Sequence, residues 1–75
     1  MPPIPVLRPG EVIKVFGKFG WQIARQSSSH IILTKKGHIA TLSVPNHSEV
    51  ARGTLRSLIS KAGLTVEEFV EALNS

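Results

Sequence analysis

The sequence contains no cysteine and no aspartate, and it has no long apolar segment. Without cysteine, disulfides and any site that needs thiolate ligands are excluded. The longest purely apolar runs have three residues, such as Ile31–Leu33, which excludes a transmembrane helix and the apolar centre of a signal peptide. The first five residues contain three prolines and no charged side chain, unlike a targeting signal, so we expect a cytoplasmic protein.

The length and the charge distribution restrict the chain further. A chain of 75 residues forms one small domain with a thin core, because it buries only about 60% of its unfolded surface. Residues 1–64 carry nine basic and two acidic side chains, a net charge of +7, whereas residues 65–75 carry three glutamates. This excess favours a polyanionic partner such as nucleic acid over an acidic metal site. Prolines predict an extended arm over residues 1–8.

Helical periodicity occurs at both ends of the remaining chain. Apolar residues recur three and four positions apart after Pro9, which suits the first turn of a helix, and Gly20 suits its end. A second amphipathic segment covers residues 54–62. Thr65 and Glu68 have the spacing of a capping box and predict a last short helix.

Three strand-like segments lie between these helices, over residues 21–26, 29–34 and 39–44. Serines form the first turn, and Lys35-Lys36-Gly37 forms the second, where the glycine can adopt a positive φ. We predict an antiparallel meander with the helices on one face, which is a two-layer α+β domain. Alternation places three residues on one face of the first strand: Trp21, Ile23 and Arg25. The predicted core includes six apolar side chains: Val12, Phe16, Leu42, Leu55, Leu58 and Ile59.

Histidine is the residue type best suited to chemistry in this chain. A serine triad lacks its aspartate, and there is no Gly-x-x-x-x-Gly-Lys phosphate loop. The spacing of His30, His38 and His47 is unlike the short ligand pairs of zinc sites. A single histidine can both take and give a proton near neutral pH, as cleavage of RNA through its own 2′-hydroxyl requires.

His30 has the most suitable neighbours in the sequence. It follows three serines whose hydroxyl and N–H groups can hold a phosphate, and basic residues of the predicted hairpins flank it. The expected RNA-binding residues are Arg25, Ser28, Ser29, Lys35 and Lys36. The alternative is that His30 is an ordinary surface or capping residue.

Four short motifs lie in a compatible order and spacing within residues 9–64. They are Glu-Val-Ile-Lys over 11–14, Gly-Trp-Gln-Ile-Ala-Arg-Gln-Ser-Ser-Ser-His over 20–30, Val-Pro-Asn-His over 44–47, and a Gly-Thr-Leu segment ending in Ala-Gly-Leu over 52–64. Together they resemble the motifs of the HicA toxins, the YcfA-like mRNA interferases.

This resemblance implies a double-stranded-RNA-binding-like fold, α-β-β-β-α, in a single HicA-like domain over residues 9–75 with an extra short C-terminal helix. It also implies mRNA cleavage without metal or cofactor by one catalytic histidine, which maps onto His30, and neutralisation by a HicB-type antitoxin. The family usually has glycine where this chain has Ser28. Two hypotheses follow, an endoribonuclease toxin and a non-catalytic RNA-binding module. A third hypothesis, a domain that binds only protein, is the least favoured because of the positive charge.

Overall fold

The computed structural model describes residues 4–75 as a three-stranded sheet with helices packed on one side. In chain order the elements are α1 (Pro9–Gly17), β1 (Gln22–Gln26), β2 (His30–Thr34), β3 (Leu42–Pro45), α2 (Arg52–Lys61) and α3 (Val66–Asn74). The strands are antiparallel, with β2 between β1 and β3. The order α-β-β-β-α-α and the antiparallel sheet confirm the predicted α+β fold.

The core lies between the helices and the inward face of the sheet. Ile31 pairs with Val44 and Leu33 with Leu42, and all four side chains are buried. The aromatic rings of Phe16 and Phe69 join α1 to α3, with centroids 5.2 Å apart. The six side chains predicted for the core are all buried: Val12, Phe16, Leu42, Leu55, Leu58 and Ile59.

Side-chain hydrogen bonds satisfy backbone groups at both ends of α3. The Thr65 hydroxyl accepts from the Glu68 backbone N–H at 3.1 Å, and the Glu68 carboxylate accepts from the Thr65 N–H at 2.9 Å. This reciprocal pair confirms the predicted capping box. At the other end of α3, Lys18 Nζ donates to the carbonyl of Ala72 at 2.6 Å, where a positive charge complements the helix dipole. No helix within residues 4–75 is long and apolar enough to cross a membrane.

The first helix ends three residues before the predicted position. It stops at Gly17, and a turn over residues 18–20 leads into the sheet. Gly20 has a φ of 99° in this turn, a conformation that glycine adopts without a steric penalty. Gly20 therefore ends the connection rather than the helix itself, and it delivers the buried Trp21 to the start of β1.

The described part of the N-terminal arm packs against the body of the protein. Ile4 and Leu7 are buried, and the Val50 N–H donates to the Leu7 carbonyl at 2.7 Å in an isolated antiparallel bridge. Arg52 Nε donates to the Ile4 carbonyl at 2.8 Å. The arm thus contributes apolar area to the core, while residues 1–3 of the predicted arm lie outside the described residues.

The third strand is shorter than the predicted 39–44 segment, which was wrong in its first three residues. β3 begins at Leu42, and Ile39 is fully exposed. Gly37 does adopt a positive φ of 80°, but the chain then packs the His38 ring on Trp21, at 4.9 Å between centroids, before it joins the sheet. Leu42 and Val44 are sufficient to set the register, because each faces a buried residue of β2.

Candidate active site on the open face of the sheet

The face of the sheet that points away from the helices, here called the open face, carries polar residues in three rows. The strand register and the alternation of side chains define them. The His30 row contains Ser27, His30 and Pro45, the Ile32 row contains Arg25, Ile32 and Ser43, and the Thr34 row contains Gln22 and Thr34. Neighbouring rows are two residues apart along β2 and β3, or about 6.6 Å.

A β-bulge brings Arg25 onto this face. Ile23 pairs with Leu33, but Arg25 pairs with Ile32, so Ala24 is an extra residue in β1. An extra residue reverses the alternation beyond it and re-aims the following side chain. The prediction that Trp21, Ile23 and Arg25 share one face is therefore wrong. Trp21 is buried, Ile23 is 50% exposed, and Arg25 lies on the open face beside Ile32.

His30 and Arg25 line the same open groove, which has a volume of about 420 Å³. The groove is bounded by Arg25, Gln26, Ser27, His30, Ile32 and Ser43. His30 is exposed, and its Nδ1 lies 3.3 Å from the hydroxyl of Ser29. No other hydrogen bond to the His30 ring occurs within residues 4–75, so Nε2 is available to a ligand. The groove therefore combines a proton-transfer group with a permanent positive charge.

The turn before His30 is held by side-chain hydrogen bonds. The Ser27 hydroxyl accepts from the His30 N–H at 3.1 Å and from the Ser29 N–H at 3.3 Å. The Ser27 N–H donates to the His30 carbonyl at 2.8 Å. Among the described residues no non-glycine residue has a positive φ, so Ser28 occupies an ordinary backbone conformation. A serine turn of this kind replaces the glycine that tight hairpins often use.

Asn46 connects the end of β3 to this turn. Its backbone N–H donates to the Ser29 carbonyl at 2.9 Å, and its side-chain Nδ2 donates to the Ser27 carbonyl at 3.2 Å. Sequence reasoning missed this residue, although it lies inside the Val-Pro-Asn-His motif. The pairing of Pro45 with His30 places Asn46 beside the serines, and that pairing is not readable from local sequence.

The profile of a protein family described as "HicA toxin of bacterial toxin-antitoxin" matches residues 10–64 of the chain. The chain belongs to the HicA toxin family. The HicA match extends from α1 to just beyond α2 and includes the whole groove, the serine turn and Asn46, whereas α3 lies outside it. A comparison with curated proteins gave no match. Membership of a toxin-antitoxin family implies that an antitoxin is the partner of this HicA chain.

The remaining predicted residues of this HicA chain are divided between two ends of the sheet. Ser28 and Ser29 form the turn next to His30. Lys35 and Lys36 follow β2 at its opposite end, about 16 Å along the strand from His30. The expectation that both lysines flank His30 is therefore wrong in its geometry, because β2 separates them from the groove. Lys35 instead extends its side chain beside Gly20.

The other two histidines lie away from the groove. His38 packs on Trp21 near the end of the sheet that carries the lysines. His47 lines a second surface groove together with Arg8 and Asn46. Within residues 4–75, no three histidine or glutamate side chains form a group that could hold a metal ion.

Proposed function

We propose that this HicA-family chain is an mRNA interferase, an endoribonuclease that cleaves mRNA without a metal ion and uses His30 as its catalytic residue. The observation that carries the proposal is the shared groove, in which an exposed imidazole and the guanidinium of Arg25 face the same open space. We assign the activity to one HicA-like domain over residues 9–75, against which the described part of the arm packs.

In this mechanism the RNA supplies its own nucleophile. With Nδ1–H directed at the Ser29 hydroxyl, Nε2 of His30 takes the proton of a ribose 2′-hydroxyl. O2′ then bonds to the adjacent phosphorus, and the bond between phosphorus and O5′ breaks. O5′ takes up a proton from the imidazolium or from water, so the products are a 2′,3′-cyclic phosphate and a 5′-hydroxyl.

The charge that develops on the phosphate needs stabilisation. Arg25 supplies a permanent positive charge in the groove, and in the turn next to His30 the Ser28 backbone N–H and the Ser29 hydroxyl supply hydrogen-bond donors for the phosphate. Lys35 and Lys36 extend the positive surface to the far end of the sheet, where they bind more distant phosphates of the same strand. Phosphate contacts of this kind position RNA without selecting its sequence.

The proposed partner is an acidic antitoxin of the HicB type that covers the open face. A net charge of +7 over residues 1–64 favours an acidic surface and accelerates its association. Such a protein would exclude RNA from the groove by occupying it. We place both proteins in the cytoplasm, where mRNA is available. Co-expression of the gene next to the toxin gene tests this, since its product should restore growth and should co-purify with the toxin.

The alternative is a non-catalytic RNA-binding module on the same scaffold. The observation in its favour is Ser28, because the family usually has glycine beside the proposed phosphate site. Both hypotheses require RNA binding, so affinity alone does not separate them. They differ in whether RNA is cut and in whether removal of the His30 imidazole abolishes cutting.

The decisive experiment compares wild type, His30→Ala and His38→Ala, both by induced expression in cells and as purified proteins with RNA and a chelator. His38→Ala is the matched control, because it removes an exposed imidazole near the opposite end of the sheet. We expect growth arrest and RNA fragmentation with wild type and His38→Ala, and neither with His30→Ala. Intact RNA with all three folded proteins would support the non-catalytic module.

A further inference from the structure

The Ile32 row is an unassigned feature of the groove, directly beside the His30 row. Ile32 is partly buried, and its cross-strand neighbours are Arg25 on β1 and Ser43 on β3, both exposed. An apolar side chain is thus flanked by a guanidinium on one side and a hydroxyl on the other. The row spans two inter-strand spacings, or about 9.6 Å, and it begins about 6.6 Å from the row of His30.

This combination of groups suits a flat ligand with polar edges. The Ile32 side chain offers apolar contact to a ring face, and the planar guanidinium of Arg25 can stack on a ring or bond to a phosphate. The Ser43 hydroxyl both donates and accepts, so it can bond to a base edge. The groove volume of about 420 Å³ is in the lower part of the range of small-ligand sites, about 300–1,000 Å³.

The side chains of the open face also limit how many bases it can bind. Single-strand binders that track RNA without sequence preference stack successive bases on aromatic side chains. The three rows of the open face contain no phenylalanine or tryptophan, and Trp21, which precedes β1, is buried. Of the two apolar side chains in these rows, Ile32 and Pro45, Ile32 lines the groove that contains His30 and Arg25. A single apolar platform in the groove favours one base rather than a stacked series.

We propose that the Ile32 row binds a single unpaired nucleobase next to the scissile phosphate and thereby sets the base preference of cleavage. This inference rests on the proposed ribonuclease function and adds a specificity site to it. A base inside a duplex is stacked and paired, so this site selects single-stranded RNA. Ile32 contacts the ring face, Ser43 reads one edge, and Arg25 holds the base or the phosphate beside it.

The test measures base preference rather than activity alone. Wild type, Ile32→Ala, Ser43→Ala and Thr34→Ala are incubated with a randomised RNA, and the fragment ends are sequenced. Thr34→Ala is the matched control, because Thr34 lies on the same strand and the same face, one row farther from His30. We expect Ser43→Ala and Ile32→Ala to reduce discrimination at one nucleotide next to the cut by about tenfold, and Thr34→Ala to leave it unchanged.

Three outcomes would overturn the base site while leaving the ribonuclease intact. One is an unchanged base preference in Ile32→Ala and Ser43→Ala. Another is that these variants lose cleavage rate equally on all RNA sequences. The last is that they lose antitoxin binding while the base preference of cleavage stays the same, which would make the groove a protein-docking site. If wild type cuts no RNA, the proposed function fails separately. The base site is then tested by fluorescence anisotropy with oligonucleotides that differ at one position, and equal affinities of wild type and Ser43→Ala for each of them would reject it.

Discussion

The two faces of the sheet differ in what their residues contribute, and β2 shows the difference within five positions. Ile31 and Leu33 are 4% and 0% exposed and pack under the helices, whereas His30 and Thr34 are exposed and Ile32 is partly buried on the open face. Because side chains alternate along a strand, residues that stabilise the fold and residues that we propose contact RNA are immediate neighbours in sequence. Stability and activity should therefore be separable by substituting adjacent positions.

The largest expected effect on the rate of RNA cleavage comes from a substitution on the open face. His30→Ala should lower the rate of RNA cleavage by about 10²–10⁴-fold, because it removes the imidazole that we propose transfers the proton. The midpoint of thermal unfolding should stay close to that of wild type, since the side chain is exposed and makes no core contact. Single-turnover cleavage of a labelled oligonucleotide, measured beside a thermal unfolding curve, checks both parts. Wild-type cleavage rates in His30→Ala would contradict the assignment.

The second prediction compares the stability effect of a residue on the buried face with that of the adjacent residue on the open face. Leu33→Ala should lower the free energy of unfolding by about 2–5 kcal/mol, because it opens a cavity in a fully buried site. Ile32→Ala, one residue away, should cost about 1 kcal/mol or less, because its side chain is only partly buried on the open face. Urea unfolding of the two variants measures the difference. Equal losses would show that the open face also supports the fold.

Much of the division between buried and exposed residues was predictable from sequence, because it depends on the local pattern of apolar side chains. Apolar spacing located the helices and the six predicted core residues, and the capping-box spacing located the start of α3. The position of Arg25 was not predictable, because a bulge depends on how two strands pair. Asn46 was missed for a related reason, since its side chain bonds to Ser27, 19 residues earlier. Contacts between strands of this kind leave little trace in a local hydrophobic pattern.

The third prediction compares the two ends of the open face. RNA binding should weaken as salt rises, with a slope of about −0.7 in log K against log salt for each phosphate contacted. Arg25→Gln and Lys36→Gln should each reduce that slope by about 0.7. Only Arg25→Gln should also lower the cleavage rate at saturating RNA, since Arg25 lines the groove of His30 and Lys36 follows the other end of β2. Binding that does not respond to salt would reject both roles.

The smallest expected effect on the cleavage rate concerns Ser28, and it depends on how the two turns that join the strands differ. The turn after β2 contains Gly37 at a φ of 80°, whereas the turn before β2 contains serines and no positive φ. The serine turn keeps its shape through the Ser27 hydroxyl and the two hydrogen bonds from Asn46. Ser28 is therefore not strained, and its difference from the glycine usual in the family lies in the hydroxymethyl group that it adds to the turn before His30.

Ser28→Gly should raise the cleavage rate at saturating RNA by roughly two- to tenfold, equivalent to about 0.4–1.4 kcal/mol, because we expect the Ser28 hydroxymethyl group to crowd the phosphate. The unfolding midpoint should change little, since no hydrogen bond of the turn depends on the Ser28 side chain. Ser27→Ala is the matched control, and it should lower the rate because the His30 and Ser29 N–H groups lose their acceptor. A slower Ser28→Gly enzyme would instead show that the Ser28 hydroxyl donates to the phosphate, and that serine here favours activity.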